Sequence, residues 1–142
     1  MILGHGSLEK KLKKLSKNLN IEDRVVFKGW VKNTTTYLKH SKIFVLSSVY
    51  EGLGNVLIDA VNYNIPCVST NCPSGPDEIL LNGKGGYLVK TKSPKLLAEK
   101  IQYSINNYSY SLKKNLRAKK KINRFLILKK TKKYFDYLSK FY

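Results

Sequence analysis

The segment that most limits what this chain can fold into lies at residues 43–61. Ile43-Phe44-Val45-Leu46 is a continuous apolar run, the pattern of a parallel strand covered on both faces. Glu51-Gly52-Leu53-Gly54-Asn55 follows as a loop, and a helix is predicted from about Val56 to Val61. A strand that turns through glycines into a helix is the repeating unit of an α/β fold with a mostly parallel sheet. In such sheets ligands bind beyond the carboxyl ends of the strands, and Glu51 lies just past one. A helix N-terminus offers unpaired N–H groups and a positive dipole end, which suits a phosphate. Gly52 and Gly54 remove side chains where backbone would approach that phosphate. Glu51 and Asp59 flank the loop as acceptors for hydroxyls, so a polyol bearing a diphosphate fits better than a bare nucleotide. Taken alone, the same residues also read as a strand–turn–helix whose glycines only satisfy geometry.

The rest of the chain alternates in the same way. Met1–Leu3 reads as the end of a strand, followed by Gly4-His5-Gly6 and a helix carrying Leu8, Leu12, Leu15 and Leu19 at helical spacing. Val25-Val26-Phe27 is a predicted strand ending at Gly29, and Asn33 can cap a short helix through Tyr37 and Leu38. Pro66-Cys67-Val68-Ser69-Thr70 and Gly85-Gly86-Tyr87-Leu88-Val89 are predicted strands separated by turn-rich residues 71–76. Ser93-Pro94 predicts a helix start, with Ser at the N-cap and Pro at the first helical position, running to about Asn106. The remainder is predicted to be helical in two pieces, with Leu128, Phe135, Leu138 and Tyr142 as an apolar stripe on the second. A parallel α/β domain rarely begins in the middle of a strand, so the first strands are expected to be missing and the sequence to be a fragment.

Composition narrows the class. No apolar run approaches the roughly 20 residues a membrane helix needs, and the start carries no basic segment followed by a long apolar one. A cytoplasmic protein is expected. Cys67 and Cys72 have no His or further Cys close by, so neither a zinc site nor a disulfide framework is predicted. The net charge is +18, and residues 113–140 hold twelve of the 27 Lys and Arg with one acid, Asp136. Such a run attracts anionic lipid or nucleic acid, or it is simply a solvated lysine-rich face. Tyr103, Tyr108 and Tyr110 near lysines allow base stacking, but no RNA-binding motif accompanies them and nucleic acid is not expected as a partner.

The residues from Ser47 to Ala60 resemble the donor-site motif of retaining glycosyltransferases with the GT-B fold, and more narrowly family 4, which uses nucleotide-activated sugars. Neighbouring blocks agree in order: Gly4-His5-Gly6, Val25 to Val31, Pro66 to Thr70, Gly75-Pro76-Asp77-Glu78-Ile79 and Gly86-Tyr87-Leu88-Val89. The resemblance covers roughly residues 1–105. It implies a Rossmann-like parallel sheet with flanking helices, the C-terminal half of a GT-B enzyme, followed by basic helices. The expected organisation is a nucleotide-sugar donor-binding domain at 1–107, then basic C-terminal helices at 108–142.

The resemblance also implies roles. Glu51 matches the first acid of the family's E-x7-E motif, which holds hydroxyls of the donor sugar, and Asp59 the second, which binds ribose. Gly52, Leu53 and Gly54, with Asn55 beside them, match backbone facing the diphosphate and sugar; Trp30 and Val31 fall near the turn that borders the base. Ser74, Gly75 and Glu78 lie in a neighbouring loop to which no role is assigned. Transfer with retention is implied, without a metal and without a cofactor, the nucleotide-diphosphate sugar being a substrate. The acceptor would be a glycan or a lipid-linked glycan, in polysaccharide or glycan biosynthesis. Two features depart from the family. Position 59 is Asp where Glu is usual, and the basic pair and the acceptor-binding domain that would precede this segment are not found in these residues. A separate N-terminal acceptor domain is therefore an expected partner, and the chain alone is expected to bind donor better than it transfers sugar. A non-catalytic nucleotide-sugar-binding remnant is the alternative, and a basic nucleic-acid-binding domain a further one. The last helix of such enzymes crosses back onto the N-terminal domain; its lysines also suit peripheral association with the inner face of a membrane.

Overall fold

The computed structural model describes residues 1–125 and 127–141, the side chains of 127–130 and 133 excepted. The chain forms two compact units, Met1–Thr36 and Tyr37–Tyr142.

In the first unit, helix α1 (Glu9–Asn18) forms where the leucine spacing predicts it. Its leucines at 8, 12, 15 and 19 stay exposed, because a unit of this length is too short to build a covering core of its own. Lys13 pairs with Glu9 one turn away at 2.6 Å, and this neighbour pulls the Glu9 carboxyl below its usual range. The two strands expected here are single bridges instead. Ile2 N–H donates to Val26 C=O at 2.7 Å and Lys28 N–H to Ile2 C=O at 3.0 Å, and a second bridge joins Gly4 N–H to Gly29 C=O at 2.7 Å, both glycines at positive φ. Asn33 Oδ1 accepts the Thr35 N–H at 2.9 Å and so starts α2 (Thr35–Lys39) as predicted.

The second unit is built on three parallel strands in the order β1 (Phe44–Leu46), β2 (Cys67–Thr70), β3 (Tyr87–Val89). Phe44 pairs in register with Cys67, and Val68 with Tyr87. All four residues of β2 are buried, as a central parallel strand requires. At the edge, β1 departs from the expectation of two covered faces: Leu46 is buried but Val45 is 37% exposed. A terminal strand has a neighbour on one side only, and its sequence alone does not reveal which side.

Helix α3 (Asn55–Asn62) packs on β1 and β2 through Leu57, Ala60 and Val61, all fully buried. The short α4 (Pro76–Ile79) adds Ile79 to the same core, and α5 (Pro94–Asn106) lies against β2 and β3. Ser93 stands at the N-cap position of α5, but its hydroxyl donates to Thr91 C=O at 3.3 Å and makes no cap bond. The start is therefore set by Pro94, whose fixed φ suits the first turn.

The lysine-rich end opens as α6 (Tyr108–Ile122), which meets α5 at Asn107 and turns a specific face inward. Ser111, Asn115, Ala118 and Ile122 are buried at helical spacing. The Asn115 amide donates to Val61 C=O at 3.2 Å, and Tyr87 OH lies 2.8 Å from Ser111 Oγ. A Cβ on Gly85 would come within 2.6 Å of Ala118 Cβ, so α6 presses directly on the backbone before β3. Lys114 sits 4.6 Å from the centre of the Tyr87 ring; burial, then the charges of Arg117 and Lys100, pull its pKa down. Helix α7 (Ile127–Leu138) follows a 3-10 turn at Asn123–Phe125, giving the two predicted pieces. Of the expected stripe, Phe135 is exposed and Leu138 half-buried; Tyr142 and the side chain of Leu128 lie outside the described residues.

Candidate functional site

Two loops leave the carboxyl ends of neighbouring parallel strands, residues 47–54 after β1 and 71–75 after β2. The first is held from three directions. Ser48 Oγ donates to Glu51 Oε1 at 2.6 Å, the length of a hydrogen bond to a charged acceptor. The hydroxyl of buried Thr70, the last residue of β2, lies 2.5 Å from Ser48 C=O and 3.3 Å from Leu46 C=O. Its single proton serves the nearer carbonyl and ties the loop to the strand beside it. From the other side Gly75 packs against the backbone of Leu53: a Cβ there would stand 2.2 Å from Leu53 O. Gly75 has φ 101° and ψ −64°, a conformation open to glycine and strained for other residues.

Gly54, with φ 79° and ψ 54°, forms the N-cap of α3. No side chain caps this helix end, and Gly54 C=O accepts the N–H of Leu57 at 2.8 Å. The first turn of α3 therefore points backbone donors toward the loop without a side-chain acceptor in the way. Asn55 is the exposed first residue of the helix, and Asp59 is exposed one turn further on. Gly52 is exposed, and a Cβ built on it would meet nothing within 4 Å. Glu51, Gly52, Leu53, Gly54, Asn55 and Asp59 thus share one loop and one helix of the second unit. Trp30, 71% exposed, and half-buried Val31 belong to the first unit, Met1–Thr36.

Three residues to which the sequence assigns no role of their own shape this loop: Ser48, Thr70 and Gly75. The signal for Gly75 is its place immediately before a proline at a helix start, where a tight turn must form. The Arg124 guanidinium donates to Glu78 C=O, anchoring the turn after α6 to α4 beside the second loop. Cys72, in that loop, is buried; burial pushes its thiol up, and the carboxylates of Glu51 and Asp77 add to this.

A carboxylate with one oxygen already satisfied can accept hydroxyls, and an uncapped helix N-terminus beside an open glycine suits an anion. Comparison with known proteins shows the family. The family model "Glycosyl transferases group 1" matches residues 1–126. The chain belongs to this glycosyltransferase family. It is 48% identical over 80 residues to an uncharacterized glycosyltransferase of Methanocaldococcus jannaschii, covering 56% of this chain and 20% of that protein. It is 32% identical over 106 residues to the poly(ribitol-phosphate) alpha-N-acetylglucosaminyltransferase of Staphylococcus aureus, covering 75% of this chain and 22% of that one. Among solved structures, a Staphylococcus aureus TarM mutant in complex with fondaparinux, alpha-GlcNAc-glycerol and UDP matches with TM-score 0.85 and 27% identity. That match covers 95% of this chain and 28% of the other. The architecture is the Rossmann-like α/β sheet with flanking helices of a GT-B glycosyltransferase, and the chain spans about a fifth to just over a quarter of the length of these relatives.

Proposed function

We propose that this chain is the donor-binding part of a glycosyltransferase that moves a sugar, with retention, from a nucleotide-diphosphate sugar to a glycan or lipid-linked acceptor. The observation that carries the proposal is the Glu51 carboxylate, fixed by Ser48 at 2.6 Å, beside open Gly52 and the uncapped start of α3. In this reading Glu51 accepts hydroxyls of the donor sugar and Asp59 accepts from the ribose. Backbone at Gly52, Leu53, Gly54 and Asn55 faces the diphosphate. Neither a metal nor a resident cofactor belongs to the reading.

The chemistry follows from charge. The bond between the anomeric carbon and the diphosphate oxygen breaks, and the acceptor hydroxyl oxygen bonds to that carbon on the same face while its proton passes to the departing diphosphate. Negative charge grows on the leaving diphosphate, and fixed backbone donors at a helix N-terminus stabilise it with little reorganisation. The basic pair that would share this load, and the domain that would hold the acceptor, are supplied in this proposal by polypeptide beyond residues 1–142. Protection from thermal unfolding by UDP and UDP-sugars, with no protection by a single-stranded oligonucleotide, is the expected result. The reverse result would overturn the proposal in favour of a nucleic-acid-binding domain. Transfer is expected once an acceptor domain is restored; donor binding without transfer in that assembly would identify a binding remnant.

The basic end supports a second reading, peripheral association with an anionic membrane surface on the cytoplasmic side. Among the described residues no helix is long and apolar enough to cross a membrane. Tyr134, Phe135, Tyr137 and Phe141 are nonetheless exposed at and beyond α7, and Lys113, Arg117 and Lys120 are exposed on the outer side of α6. Exposed aromatic side chains and exposed lysines both suit the lipid interface, and each lysine near anionic lipid contributes about 1 kcal/mol. Flotation with anionic vesicles is expected at low salt and reduced at moderate salt; no salt-sensitive flotation would remove this reading.

A further inference from the structure

We infer that Ser48 is a positioning residue for the donor sugar, acting through Glu51, with Thr70 as the anchor that fixes Ser48. The inference rests on the proposed donor site and adds to it a pair of residues that would not touch the ligand.

The geometry runs in one direction, from core to ligand. Thr70 is buried at the carboxyl end of the central strand, so its β-branched side chain has little freedom. Its hydroxyl donates to the carbonyl of Ser48, two residues past the end of β1. Ser48 Oγ in turn donates to Glu51 Oε1 at 2.6 Å. A free glutamate on a loop would sample several rotamers, and a ligand would have to select one. Here one oxygen is already held, so the other is left to accept from a sugar hydroxyl in a set direction. Preorganisation of this kind raises affinity by removing an ordering cost that binding would otherwise incur. Gly75 closes the loop from the far side against Leu53, so the carboxylate sits on a segment braced at both ends.

A local role is the competing explanation, since Ser48 and Glu51 are only three residues apart and their bond also closes a turn. The two roles differ in what they change. A turn-closing bond, when lost, weakens folding or all ligands alike. A positioning bond, when lost, weakens the sugar-bearing ligand and spares the nucleotide diphosphate.

The test is calorimetric titration of the full chain with UDP and with UDP-glucose, UDP-galactose and UDP-N-acetylglucosamine, beside thermal unfolding. Wild type is expected to bind one or more of the UDP-sugars more tightly than UDP. Ser48→Ala is expected to lose about tenfold of UDP-sugar affinity while UDP binding changes less than twofold, because a hydrogen bond to a charged group is removed from the sugar side alone. Ser48→Thr keeps the hydroxyl and is expected to restore the affinity. Thr70→Val, near-isosteric, is expected to lose part of the same discrimination. Equal loss for UDP and UDP-sugar, or retained discrimination in Ser48→Ala, overturns the positioning role while leaving the donor site standing. Wild type that binds neither ligand overturns the donor site itself and this inference with it.

Discussion

Replacing Gly75 by Ala tests how the two strand-end loops depend on each other. The new Cβ would stand 2.2 Å from Leu53 O, 2.7 Å from Leu53 C and 3.0 Å from Leu53 Cα, all backbone atoms that no rotamer change can move. The φ of 101° adds strain for any residue with a Cβ. Strain of this kind costs about 1–3 kcal/mol, and overpacking typically about 1–3 kcal/mol more. The sum is roughly a third of the stability of an ordinary domain, equivalent to a fall in Tm on the order of 10 °C or more for a unit of this size. The chain can escape the clash by moving the 51–55 loop about 1 Å, and a shift of that size is enough to cost roughly 100-fold in a positioned site. Gly83→Ala is the matched comparison: Gly83 also has a positive φ, of 83°, but a Cβ there meets nothing within 4 Å. Chemical denaturation and titration with UDP are measured on both variants. Gly75→Ala is expected to lose more stability than Gly83→Ala and also to lose nucleotide binding, which Gly83→Ala keeps. If the two variants unfold alike and bind UDP alike, the contact between Gly75 and the Leu53 backbone does not shape the site.

Two further outcomes follow from single groups. Burial pushes the Cys67 thiol well up, so the folded state keeps a proton that the unfolded chain releases above a pH of about 8.5. Stability from this group is complete below that pH and is lost as pH rises beyond it; Cys67→Ala is expected to show a shallower fall in Tm between neutral and alkaline pH, and an unchanged slope would refute the assignment. Asp59 is exposed on α3, one methylene shorter than the usual residue, so Asp59→Glu is expected to bind UDP up to about tenfold more tightly with no loss of Tm. Calorimetry showing unchanged or weaker affinity would argue against a ribose contact at this position.

How much of this was legible in advance depends on whether a feature is local. The helices at 9–18 and 94–106 could be read because the leucine spacing and the Ser93-Pro94 start each lie within one element. The strand–loop–helix unit from Phe44 to Asn62 was equally plain, since its run, glycines and helix adjoin. What escaped reading was set by partners distant in sequence. Val45 belongs to an unbroken apolar run, yet its exposure depends on β1 standing at the sheet edge. Thr70 and Ser48 are 22 residues apart, and nothing between them announces their hydrogen bond. Gly75 reads as a turn glycine, whereas its closest neighbour is the backbone of Leu53. The lysine run of α6 also concealed its structural half: Asn115 and Ala118 pack into the core while Lys113 and Lys120 face out.

The central claim is that the 51–55 loop is open for a ligand and not merely a turn. Gly52 separates the two, because a Cβ there meets no atom of the protein and its φ lies outside the left-handed region. The decisive measurement is titration of Gly52→Ala with UDP and a UDP-sugar beside thermal unfolding of the same variant. The account predicts a Tm close to wild type with nucleotide-sugar affinity lowered tenfold or more, since the methyl group would occupy space reserved for the diphosphate and sugar. Wild-type affinity in a normally folded Gly52→Ala protein would contradict it.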